Sequence, residues 1–156
     1  MLKLRKNKKG FTLVELIVVI AIMAVLAGVV AGVTVSQLNK QTDKTGVTQA
    51  NTISSFLSTC IQSAETGEAD SLIDETTNVF TDELLKKVLE KQYSASSTKI
   101  KQLTTENLTK GYIDVTIINS GKFIKVQYVP KVENKGATYY ISLDGTVSTK
   151  APATEG

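Results

Sequence analysis

Gly10-Phe11-Thr12-Leu13-Val14-Glu15-Leu16, together with the apolar run behind it, decides how the rest of the chain is arranged. Five basic residues stand directly before it: Lys3, Arg5, Lys6, Lys8 and Lys9. From Leu16 to Val33, 18 residues pass without a charged or hydrogen-bonding side chain. As an α-helix such a run spans about 27 Å, close to the roughly 30 Å of a bilayer's hydrocarbon core. Glu15 is the exception at its near end. A carboxylate at the edge of a membrane segment is expensive to place and marks a functional residue by default.

The basic flank orients the segment. By the positive-inside rule Met1–Gly10 stays cytoplasmic and the bulk of the chain lies outside. Three fates of the N-terminus fit this pattern. An ordinary secretory signal peptide has a small-residue cleavage site at Val29-Val30-Ala31, but Glu15 then falls inside an overlong apolar region. A plain membrane anchor explains the length and leaves Glu15 without a purpose. A leader cut after Gly10 keeps the whole apolar helix on the mature chain.

Lys8-Lys9-Gly10-Phe11-Thr12-Leu13-Val14-Glu15 resembles the prepilin cleavage motif of type IV pilins and pseudopilins. A basic leader ends in glycine, an aromatic follows, and a glutamate stands five residues into the mature chain. The resemblance implies cleavage between Gly10 and Phe11 by a membrane-embedded prepilin peptidase. It implies N-methylation of the new terminus at Phe11 and, through an assembly platform, polymerisation with itself and other pilins into a surface filament. It also gives Glu15 a task, a contact with the α-amine of a neighbouring subunit that sets register during assembly. Opposite charges in a low dielectric make that pairing favourable. Gly28 and Gly32 form a G-x-x-x-G spacing that suits close helix packing in lipid and also occurs without purpose in membrane helices. Many members of the family carry a proline in this part of the helix. Here the prolines are Pro130 and Pro152, so a kink would have to come from the glycines.

Past Thr34 the helix changes character. Val47, Ala50, Ile53, Leu57, Ile61 and Ala64 recur at spacings of three and four, an amphipathic stripe that needs a partner surface. The reading is one helix from near Phe11 to about Ala64, roughly 80 Å long at 1.5 Å per residue. Glu65 to Val79 reads as a solvated acidic loop without calcium-loop spacing. Residues 81–92 read as a short helix, with Thr81 as cap, acids in the first turn and lysines in the last. Ser94 to Thr109 is polar and reads as mostly irregular.

Then the period changes to two. Strands are expected near 112–118, 122–129, 138–143 and 146–149, separated by Asn119-Ser120-Gly121, Glu133-Asn134-Lys135-Gly136 and Asp144-Gly145. The tail from Lys150 reads as frayed. An antiparallel meander with one apolar face needs cover, and the helix stripe supplies it, so the fold class is α+β, with the long N-terminal helix packed on a C-terminal antiparallel sheet. The expected organisation is a leader at 1–10, a transmembrane and filament-core half-helix at 11–35, an amphipathic half at 36–64 and a globular head at 65–156.

Composition narrows the function classes. The net charge is +3, but without Met1–Gly10 the remainder has 13 lysines against 15 acids, a charge of −2, and lacks a nucleic-acid footprint. Histidine is absent and Cys60 is the lone cysteine, which excludes an intramolecular disulfide and points to a core held by apolar packing. No nucleophile–base set, phosphate loop or metal-ligand spacing is present, so neither a cofactor nor a metal is expected and the chain reads as non-enzymatic. The expectation is a pilin, anchored in the cytoplasmic membrane and then part of an extracellular filament. The alternatives are a minor pilin, a pseudopilin of a secretion or DNA-uptake system, and a membrane-anchored binding module that does not polymerise.

Overall fold

The computed structural model describes residues 10–65, 71–132 and 136–153. The basic residues of the leader, residues 66–70 of the acidic loop and residues 133–135 of the following turn lie outside them. The helix α1 runs Leu13–Glu65, and a second helix, α2, runs Asp82–Tyr93. Four strands follow: β1 (Tyr112–Ile118), β2 (Phe123–Val129), β3 (Ala137–Ser142) and β4 (Val147–Ser148). They form one antiparallel sheet in the order β1-β2-β3-β4. The chain divides into two compact units, Met1–Leu38 and Asn39–Gly156.

In the second unit the long helix packs on the sheet, the α+β pilin-like arrangement. Ala50, Ile53, Leu57 and Ile61 of α1 are fully buried against Ile113 and Val115 of β1, Ile124 and Val126 of β2, and Ile141 of β3. Strand alternation puts these side chains on one face, because successive residues point to opposite sides. Leu85, Val88 and Leu89 of α2 join the same core. Phe56 and Tyr93 meet edge to face, with ring centroids 5.7 Å apart, and fix the end of α2 against α1.

The buried stripe on α1 begins earlier than its apolar residues. Asp43 and Gly46 are both buried and continue the spacing that leads to Ala50. Gly46 lies flat against the Tyr128 ring, which occupies the space where a Cβ would stand. Asp43 accepts from the Tyr128 hydroxyl at 2.9 Å and from the backbone N–H groups of Lys131 (2.8 Å) and Val132 (3.1 Å). These bonds anchor the chain as it leaves β2. Burial pushes the Asp43 carboxyl up, but the three donors and the Lys131 charge outweigh it and hold it below the ordinary carboxylate range.

The segment after α2 is more ordered than its polarity suggests. Ile100 is buried and bridges in parallel to Ile113, and Lys101–Leu103 forms a one-turn 3₁₀ helix. The Gln102 amide then substitutes for a neighbouring strand along β1. Its Oε1 accepts from the Val115 N–H at 3.1 Å, while its Nε2 donates to the Val115 carbonyl and, at 2.9 Å, to Asp114 Oδ1. An edge strand with bare N–H and C=O groups invites pairing with another chain, and this loop covers part of that edge.

Turns follow the local chemistry. Lys122 N–H donates to the Asn119 carbonyl across Ser120 and Gly121, both at left-handed φ (52° and 88°), as a tight hairpin of the primed class requires. Asp74 accepts from the Thr76 and Thr77 N–H groups, so this carboxylate closes a turn. Near the C-terminus, Asn119 Nδ2 donates to the Ala153 carbonyl at 3.3 Å.

Candidate processing and assembly segment

The first unit is described from Gly10 onward, and in it nothing covers α1. Among the large apolar side chains from Leu13 to Leu38, the least exposed, Val19, is still 49% exposed. A helix that is apolar all round belongs in lipid or among other helices. Its 18-residue apolar window has a mean hydropathy of 3.0. Length and composition both fit membrane anchoring. Thr34, at the polar end of the run, donates its hydroxyl to the Val30 carbonyl at 2.7 Å, so this group brings no unsatisfied donor to the apolar surface.

Gly28 and Gly32 sit on this exposed surface with open space where a Cβ would be, and the helix continues through them without a break. Among the described residues of this unit, neither glycine meets another segment.

Gly10, Phe11 and Thr12 precede the helix, and Phe11 is 93% exposed. Thr12 caps α1. Its carbonyl accepts from the Leu16 N–H at 3.3 Å, and its hydroxyl accepts from the Glu15 N–H at 3.3 Å. Glu15 reaches back, with Oε2 accepting from both the Thr12 N–H and the Thr12 hydroxyl at 2.9 Å. This reciprocal pair is a capping box, which satisfies donors that every helix N-terminus leaves open. The expectation for Glu15, drawn from its charge and its distance from Phe11, does not include this capping role. The T-x-x-E spacing does, since it is a helix-start signal legible in the sequence.

Among the described residues no three His, Cys, Asp or Glu side chains converge. A broad groove beside the end of α2 is lined by lysines, hydroxyl residues and Tyr93. Of the charged residues that line it, Glu90 pairs with Lys86 at 3.7 Å and Lys99 with Glu106 at 3.8 Å, both exposed pairs that contribute little to stability.

Residues 5–31 match the family described as the prokaryotic N-terminal methylation motif. The chain thus carries the class III leader of type IV pilins and pseudopilins. No curated protein and no solved structure matches the chain. The motif and the fold together point to a precursor of pilin type, structural in character and anchored by its N-terminal helix.

Proposed function

We propose that this protein is the structural subunit of a type IV pilus-like surface filament. It is made as a membrane-anchored precursor with a cytoplasmic N-terminus. A prepilin peptidase cuts between Gly10 and Phe11, and the new α-amine of Phe11 is methylated. The apolar half of α1 then leaves the bilayer for a filament core, where copies of the same helix replace lipid. Gly28 and Gly32 allow close approach in that core. Glu15 engages the amine of a neighbouring Phe11, and the heads form the outer surface.

One observation carries the reading. A methylation motif matches residues 5–31, and the helix that begins inside it at Leu13 keeps all its large apolar side chains as far as Leu38 uncovered among the described residues. A signal peptide would discard that surface, whereas a polymer uses it. The decisive measurement is the intact mass of the mature protein from cells. The expected species starts at methylated Phe11. A start after Ala31, or an uncut chain from Met1, would overturn the proposal. Electron microscopy of cells carrying Glu15→Ala tests the assembly role, with loss of surface fibres expected. Immunogold labelling of wild-type fibres along their length separates a main subunit from a minor pilin or a pseudopilin.

A further inference from the structure

We infer that Thr12 is a positioning residue for leader cleavage. Its capping box with Glu15 stops α1 one residue short of Phe11 and so keeps the Gly10–Phe11 bond outside the helix. The inference rests on the reading that this bond is the one cut.

A peptidase must reach the scissile carbonyl and lay the chain out around it. A helical peptide bond has its carbonyl engaged with the turn above and is shielded by side chains. The chain on both sides of the bond has little else to stop a helix from spreading. Phe11, Leu13 and the lysines upstream all tolerate helix, and Gly10 alone disfavours it. The cap supplies the missing stop. Thr12 has the three marks of an N-cap: its carbonyl accepts the first helical bond, its hydroxyl accepts from Glu15 N–H, and its own N–H is taken by the Glu15 carboxylate. With its N–H bound sideways, Thr12 cannot donate upstream to extend the helix. Gly10 and Phe11 stay exposed and lie outside the helix.

The alternative is that the peptidase reads the Thr12 side chain directly. Glycine and alanine at position 12 separate the two ideas. Neither resembles threonine, but glycine is a tolerable cap and alanine a poor one. The full-length precursor, in membrane vesicles with a prepilin peptidase, is followed by mass spectrometry over time. Thr12→Ser, Thr12→Asn and Thr12→Gly are expected to be cut within about twofold of the wild-type rate, and Thr12→Ala and Thr12→Leu about fivefold more slowly. Amide exchange in detergent micelles should show Phe11 N–H gaining protection in Thr12→Ala and not in Thr12→Gly. Equal rates for the glycine and alanine variants, or Phe11 equally unprotected in both, would overturn the inference while leaving the leader reading intact. A wild-type precursor uncut at Gly10–Phe11 would overturn the leader reading and this inference with it.

Discussion

The Tyr128 hydroxyl and the Asp43 carboxylate meet at 2.9 Å although 85 positions separate them in the chain. Asp43 is 1% exposed and Tyr128 2% exposed. A carboxylate so placed is tolerable only when its hydrogen bonds are made, and Asp43 has donors on both oxygens. The contact joins the middle of α1 to the end of β2. Deleting the Tyr128 hydroxyl removes one donor to a charged group and is expected to cost about 1.5–3 kcal/mol. Asp43→Ala strands the hydroxyl and two backbone N–H groups, at about 1–3 kcal/mol for each donor left unsatisfied. Urea unfolding of the detergent-solubilised protein, followed by tyrosine circular dichroism, checks both. An Asp43→Ala variant no less stable than Tyr128→Phe would contradict this account.

The same pair predicts two pH limits. Asp43 titrates below its ordinary value, so its contribution is present above the unfolded carboxylate value of about 3.9 and is lost as pH falls through the folded one. Burial, reinforced by the bond to Asp43 and its charge, pushes the Tyr128 phenol well above its ordinary range. Its contribution is therefore complete below about pH 10 and lost as pH rises further, because the unfolded phenol ionises first. Stability measured against pH should fall at both ends. Asp43→Asn should flatten the acid limb and Tyr128→Phe the alkaline one.

Gly46→Ala sets two effects against each other. Alanine favours a helix over glycine by about 0.8–1.0 kcal/mol. The new Cβ, however, would enter the Tyr128 ring, which is held by its hydroxyl and cannot swing aside freely. Overpacking of this kind costs about 1–3 kcal/mol, so net destabilisation is expected. In a Tyr128→Ala background the clash is gone, and Gly46→Ala should become stabilising. That reversal of sign in a double-mutant cycle is the measurement that matters.

These contacts mark the boundary of what is legible in the chain alone. The leader motif, the apolar run, the stripe Ala50-Ile53-Leu57-Ile61 and the period-two strands announce themselves because each signal is local, and the α+β class follows from them. Asp43 and Gly46 belong to the same buried stripe, but neither is apolar. Only the tyrosine and two N–H groups far along the chain make them interior residues. Ile100 and Gln102 are hidden in a polar stretch for the same reason, since their partner is the edge of a strand. The N-terminus differs. There the T-x-x-E spacing is local and readable, but inside a membrane run the charge of Glu15 is its more conspicuous property and masks its part in the cap.

Gln102 offers the last test, because its amide is matched to the backbone it meets. One end accepts from Val115 N–H and the other donates to the Val115 carbonyl and to Asp114. Gln102→Glu keeps the shape and the acceptor but replaces the donor with a second oxygen facing a carbonyl and a carboxylate. Repulsion there should cost more than Gln102→Ala, which leaves Val115 N–H and C=O to find water. The alanine variant is expected to lose about 1–3 kcal/mol and the glutamate variant more than that. Part of the difference should be recovered on acidification, as the introduced carboxylate protonates and regains a donor. Hydrogen exchange at Val115 N–H should accelerate in both while Val126, on the central strand, keeps its protection. Uniform acceleration across the sheet would mean that Gln102 supports the whole head, and that its role is not confined to covering the edge of β1.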